Sequence, residues 1–241
     1  MAQNFYKGDL AWVHHRGFSD FIEQAGPEIL KILAGAGIHE GLVIDLGCGS
    51  GTWARQLTDR GFGVWGVDVS EAMIRLARKI APDAEFQNGS IYDVPLRPCV
   101  AVTALGEPLN FGVGELPSDE LLIGLFQRIA ENLASGGLFI FDVVVMGDGP
   151  PMGYRAWRKD DDWAVLFEVN ENRERQTLTR EITIFRETDR GYRRSEERHE
   201  IRVYSPDRLV ELLTQCGFTV EIGTTYGACS LAPRRMSFLA K

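Results

Sequence analysis

The sequence predicts an α/β fold: a doubly wound parallel sheet with an inserted antiparallel sheet. Two observations carry this reading. Over residues 1–145, short apolar runs of strand length alternate with segments of helical periodicity. After the Gly/Pro linker Met146-Gly147-Asp148-Gly149-Pro150-Pro151 the apolar period switches to two. A chain of 241 residues, 44% hydrophobic, is long enough for one sizeable core plus such an insertion and too short for three ordinary domains.

Taken in order, Phe5 to Gly26 is mixed aromatic and polar, and Pro27 to Ala36 places Ile29, Leu30, Ile32 and Leu33 at helix-face spacing. Leu42-Val43-Ile44-Asp45-Leu46 is a first strand, followed at once by the glycine turn Gly47–Gly51 and by a helix that begins near Trp53. Gly63 to Asp68 is a second strand, and Ser70 is placed to cap a helix carrying Met73, Ile74, Leu76 and Ala77. Further strands are expected at 84–88, 99–105 and 137–145, with a helix over 118–133. In the insertion, residues 163–170, 177–187 and 192–204 read as strands with one wet face, because charges of both signs alternate there with Val165, Phe167, Ile182, Ile184 and Ile201. A helix over 207–216, stopped by Gly217, and strands at 218–222 and 236–240 complete the chain.

Composition excludes several classes of function. Acidic residues outnumber basic ones 34 to 26, a net charge of -8, so a broad phosphate-binding surface for nucleic acid is not expected. The longest apolar run, Gly137 to Met146, is interrupted by Asp142 and falls short of the roughly 18 residues of a membrane span. Met1 to Tyr6 lacks the basic and apolar regions of a signal peptide, so the expectation is a cytoplasmic chain with no membrane partner. Cys48, Cys99, Cys216 and Cys229 lie far apart without a Cys-x-x-Cys, and the four histidines add no ligand spacing, so neither a disulfide framework nor a metal site is expected.

The chemistry concentrates at the glycine turn. A backbone that approaches a charged small molecule closely cannot carry side chains at the contact, and a helix N-terminus follows. Gly47, Gly49 and Gly51 are spaced G-x-G-x-G, whereas a dinucleotide fingerprint requires G-x-G-x-x-G, and Thr52 stands at its last glycine. That spacing makes a nicotinamide-dependent oxidoreductase a remote reading. Asp68 ends the second strand, where a carboxylate can accept both hydroxyls of a ribose. Asp45 adds a second carboxylate, which suits a cationic ligand better than an anionic one.

These residues resemble the class I S-adenosylmethionine-dependent methyltransferases. Val43-Ile44-Asp45-Leu46-Gly47-Cys48-Gly49-Ser50-Gly51 is similar to the family's first motif, and Gly66-Val67-Asp68-Val69-Ser70 followed by Met73 is similar to its ribose motif. The resemblance implies a seven-stranded Rossmann-like sheet with an antiparallel last strand. It also implies S-adenosylmethionine as cofactor, S-adenosylhomocysteine as product, and cofactor contacts from Asp45, Gly47, Cys48, Gly49, Asp68, Val69, Met73, Ser90, Ile91 and Leu105. Ser90 stands where the family commonly has an acidic residue facing the adenine, so its hydroxyl and the Ile91 backbone take that task. After the fourth strand, Gly106-Glu107-Pro108-Leu109-Asn110-Phe111 lacks the Asn/Asp-Pro-Pro-aromatic signature of enzymes that methylate the exocyclic amines of bases.

Gly8 to Phe21 is similar to the lid of sugar-amine N-methyltransferases, which implies a helical lid over residues 1–40 and a small-molecule acceptor. The remaining division is a cofactor-binding core over 41–145, the insertion over 146–204, and a closing helix and two strands over 205–241. Methyl transfer from a sulfonium is an in-line displacement, and a hydroxyl or thiol acceptor would benefit from a base, for which His14 is the candidate catalytic residue. Glu107 and Asn110, at the carboxyl edge of the sheet, and Tyr226 are the expected acceptor contacts; Trp157 is a further aromatic wall, and Arg234 and Arg235 read as solvated. Two rivals stay open: a protein or peptide methyltransferase with an open groove, and a cofactor-binding module without turnover. The acceptor atom, N or O, and the oligomeric state are not legible.

Overall fold

The computed structural model describes residues 5–241; Met1–Asn4, the start of the expected lid, lie outside the described residues. The N-terminal segment forms two helices, α1 (Gly8–Phe18) and α2 (Asp20–Gly35). The helix expected from Pro27 therefore begins earlier and runs through that proline. Proline costs a helix interior about 3 kcal/mol, and burial of Ala25, Ile29 and Leu33 against Trp53 and Leu57 outweighs it.

The core then alternates: β1 (Leu42–Leu46), α3 (Thr52–Thr58), β2 (Gly63–Asp68), α4 (Glu71–Ile80), β3 (Glu85–Asn88), β4 (Cys99–Ala104), a short 3-10 turn at Pro108–Asn110, α5 (Asp119–Asn132) and β5 (Leu133–Val144). Ser70 caps α4 by accepting the Met73 N–H at 3.2 Å, and Ser118 does the same for α5 with Leu121. The insertion has four strands where three were expected: β6 (Gly153–Lys159), β7 (Trp163–Asn172), β8 (Thr177–Thr188) and β9 (Gly191–Arg202). The extra strand β6 is exposed along its whole length, so it carries no alternation of burial for a periodicity argument to find. The chain closes with α6 (Pro206–Gln215), β10 (Val220–Gly223), a small hairpin of β11 (Thr225–Tyr226) and β12 (Cys229–Ser230) that the sequence did not announce, and β13 (Arg235–Ala240).

The main sheet has the order β10-β13-β5-β4-β1-β2-β3, and β13 runs antiparallel to both neighbours. Side-chain alternation feeds two apolar layers. Ile44, Leu46, Val102, Phe139 and Phe141 face α5 and α6, while Val43, Ala101, Leu138 and Ile140 face α2 and α3. The inner face of the insertion sets Trp163, Val165, Ile182 and Ile184 against Leu10 and Val13 of α1. Its other end buries Val169, Leu178 and Ile201 against Val144. This packing seats α1 over the carboxyl ends of β1, β2 and β4, the place where ligands bind in open α/β sheets. Among the described residues, no helix is long and apolar enough to cross a membrane.

Candidate functional site

The carboxyl ends of β1, β2 and β4 open into a cavity of about 290 Å³, roofed by residues 5–22. Its floor is the glycine turn. The Gly47 and Cys48 N–H groups donate to the Val67 carbonyl at 2.7 and 3.0 Å, which ties the turn to β2. Gly47 sits at φ +74°, and a Cβ there would overlap the ring of Pro108, so only glycine fits. Asp68 accepts the Gly49 N–H at 2.9 Å with one oxygen and the Ser70 N–H at 2.7 Å with the other. Burial nonetheless pushes its carboxyl up to about 6. Asp45, buried and bonded by the Thr103 hydroxyl at 2.8 Å, is pushed up to about 7 for the same reason. Burial also raises the Cys48 thiol well above its usual value, which makes it a neutral wall rather than a nucleophile.

Every residue expected to contact the cofactor lines this cavity: Asp45, Gly47, Cys48, Gly49, Asp68, Val69, Met73, Ser90, Ile91 and Leu105. The Ser90 hydroxyl accepts the Tyr92 N–H at 3.2 Å, and Arg128 donates to the Tyr92 carbonyl at 2.7 Å, which fixes the segment that follows β3. This half of the site fits S-adenosylmethionine. Asp45, buried, and Asp68, half-buried, have no basic partner among the described residues, which suits hydroxyls and cationic groups.

The roof is held from both sides. The Tyr6 carbonyl accepts the Ser70 hydroxyl at 2.7 Å, and His15 Nδ1 and the Ser50 hydroxyl share a hydrogen bond of 2.9 Å. Toward the insertion, the Lys7 N–H donates to Glu197 at 2.8 Å, and Arg193 donates to Asp9 at 2.7 Å. His14 lies edge-on to Tyr6, 5.0 Å between ring centres, and stacks on Phe18 at 5.6 Å. Burial pulls its imidazole down to about 4, so it is neutral near pH 7. Burial, with Glu107 next, raises the Tyr6 phenol, which also stays neutral.

The acceptor-side expectations need correction. Glu107 does line the cavity, but two arginines hold it: Arg180 by a two-pronged ion pair and Arg235 at 3.3 Å. Those guanidinium groups keep its carboxyl below the usual range despite burial. Asn110 is fully buried away from the cavity, where its amide donates to the Val144 and Arg202 carbonyls and accepts the Val144 N–H. It therefore replaces a strand neighbour between β5 and β9 rather than touching an acceptor. Tyr226 is buried behind the site, donating to Asp142 at 3.1 Å, and Trp157 is exposed on β6. Arg235, read as solvated, lines the cavity and pairs with Asp142 at 3.2 Å. The sequence reading also missed Phe18, Phe21 and Phe111 as lining residues. The crowding of Phe5, Tyr6, Trp12, Phe18 and Phe21 within so short a stretch was the available signal for two of them. Arg180, far away on β8, had none.

Comparison with known proteins agrees with this geometry. Residues 43–137 match the family model of the methyltransferase domain. A methyltransferase-named protein of Geobacillus sp. (strain WCH70) is 30% identical over 210 residues, 83% of each chain. The dTDP-3-amino-3,6-dideoxy-alpha-D-glucopyranose N,N-dimethyltransferase of Streptomyces fradiae is 23% identical, covering 90% of this chain and 86% of that protein. Among solved structures, the CcbJ methyltransferase from Streptomyces caelestis superposes with a TM-score of 0.79 at 18% identity, over 99% of this chain and 98% of that one. A glycine turn tied to β2, a ribose-competent Asp68 and a relative of this identity over most of its length lead to one assignment: the chain belongs to the S-adenosylmethionine-dependent methyltransferase family.

Proposed function

We propose that the chain is a cytoplasmic small-molecule N-methyltransferase. The observation that carries this reading is the roofed aromatic half-cavity, where the neutral His14 and Tyr6 stand beside the cofactor half. A cavity of this size, roofed by α1 and the start of α2, suits a small acceptor better than the long groove that a protein substrate needs. The name of the S. fradiae relative, an amino-sugar N,N-dimethyltransferase, supports nitrogen as the acceptor atom.

In this reading residues 1–40 are the lid, residues 41–145 with 205–241 hold the cofactor, and residues 146–204 brace the lid and supply Arg180 to the acceptor side. Asp68 receives the ribose hydroxyls, Asp45 faces the cationic end, Gly47 and Gly49 give the backbone close approach, and Val69, Met73, Ser90, Ile91 and Leu105 enclose the base. When bound, S-adenosylmethionine supplies an electrophilic methyl group on a sulfonium. An amine can accept that methyl only through its unprotonated nitrogen. His14, with its imidazole near 4, is too weak a base to strip an alkylammonium ion, so it accepts a hydrogen bond from the neutral amine and aims its lone pair. The roof excludes water while that geometry holds.

The test is turnover of the purified chain with S-adenosylmethionine and a panel of primary amines, alcohols and short peptides, read as S-adenosylhomocysteine release and as methyl gain on the acceptor. Methylated amine is expected. Release from peptides alone would support the protein-substrate reading, and cofactor binding with no release from any acceptor would support a non-catalytic module.

A further inference from the structure

The two halves of the cavity differ in how their charges are balanced. On the cofactor side, among the described residues, Asp45 and Asp68 bond only to Thr103, Gly49 and Ser70, so no basic side chain there offsets them. On the acceptor side every charge has a partner. Asp20 pairs with Arg158 at 3.2 Å, Glu107 with Arg180 and Arg235, and Arg235 also with Asp142. Arg16, on the outer part of α1, is likewise committed to Asp162 at 3.2 Å. Among the described residues, Arg235 is the one lysine or arginine that lines the cavity, and both carboxylates beside it are already within ion-pair distance.

What remains for an acceptor to touch is mainly aromatic or aliphatic: Phe5, Phe18, Phe21, Ile22, Phe111 and Val113, with the phenol of Tyr6 and the imidazole of His14 as neutral polar groups, while the Ser19 hydroxyl bonds the His15 carbonyl and the Ser50 hydroxyl is shared with His15 and Thr52. A diphosphate placed here would face Asp20 and Glu107 with no free cation to bond it, and a buried anion without a partner is strongly disfavoured. An acceptor with an apolar body would instead gain burial against these rings, and its amine would find Tyr6 and His14.

We infer that the acceptor is an unphosphorylated amine on a compact apolar or aromatic body, in contrast to the dTDP-linked amino sugar for which the S. fradiae relative is named. The inference rests on the N-methyltransferase reading above and narrows the substrate class of that same site.

The experiment is calorimetric titration of the full chain, first with S-adenosylhomocysteine and then, once loaded, with phenethylamine, cyclohexylamine and thymidine diphosphate as separate probes. The expected result is that at least one amine binds tenfold or more tighter than thymidine diphosphate. Phe111→Ala should weaken that amine about tenfold while leaving S-adenosylhomocysteine affinity unchanged. Thymidine diphosphate binding as tightly as the amines, or failure of every probe to bind the loaded protein, overturns the inference and leaves the family assignment standing. Failure of S-adenosylhomocysteine itself to bind overturns the underlying reading of the site.

Discussion

Asp45 and Asp68 connect the chemistry of the site to pH. Both carboxyls are raised by burial, to about 7 and about 6, so folding favours their protonated forms. The stability this contributes is complete below the ordinary carboxylate range and is lost as pH rises through about 6 and then about 7. A ligand that donates ribose hydroxyls and an ammonium group binds the ionised forms and restores what was lost. The thermal shift caused by S-adenosylhomocysteine should therefore grow between about pH 5.5 and pH 8, and a shift that is flat over that range would remove these carboxylates from the binding site. His14 makes a different prediction. If His14 positions the acceptor as proposed, His14→Ala should lower turnover about 10- to 100-fold and leave S-adenosylhomocysteine affinity unchanged; unchanged turnover would reduce it to a packing residue of the lid. Most of this chemistry was legible in the sequence. Asp45 and the glycines flank one turn, and Asp68 ends the next strand, which pairs in parallel with the first, so spacing together with the family resemblance brings them into one place. Glu107 was found by its position after β4, but its partner Arg180 comes from a strand 73 residues away, and only tertiary structure reveals that pairing.

At the scale of elements, the decisive packing is α1 against the insertion. A Cβ at Gly17 would stand 2.5 Å from the indole of Trp163, so the helix lies directly on β7 there. Gly17→Val should push the two apart, costing about 1–3 kcal/mol of stability. Because α1 also roofs the cavity, the same substitution should raise the acceptor KM more than the cofactor Kd; equal changes in both would mean that the insertion does not position the lid. Glu197 joins these elements from another direction, accepting the Lys7 N–H with one oxygen and sharing a hydrogen bond with His199 through the other, at 2.9 Å. The elements that the sequence missed have separate physical reasons. Strand β6 is exposed along its length and is held by backbone pairing with β7, so no burial alternation announces it, whereas the helix expected from Pro27 was placed too late because buried contacts carry α2 back through that proline. Asn110 was misread because a polar residue at the sheet's carboxyl edge suggests a ligand, whereas here its amide completes backbone hydrogen bonding between β5 and β9.

For the whole molecule, an apolar layer closes each face of the main sheet. Phe139, Phe141 and Phe238 stack on one side at 4.6 and 4.8 Å between ring centres. Ligand binding then adds to folding stability by mass action. S-adenosylhomocysteine at about 100 times its Kd should contribute about 2.7 kcal/mol, and each kcal/mol corresponds to roughly 2–4 °C in Tm for a chain of this size. At the site itself, the glycine turn and Asp68 together are proposed to form the S-adenosyl site. That assignment is tested most directly by calorimetric titration of the parent chain and Asp68→Ala with S-adenosylmethionine, S-adenosylhomocysteine and NAD. Micromolar binding of the first two to the parent, no binding of NAD, and a loss of about 1.5–3 kcal/mol in Asp68→Ala are expected, since the ribose contact and the Gly49 and Ser70 bonds disappear together there. NAD binding, or the same Kd in parent and variant, would contradict it.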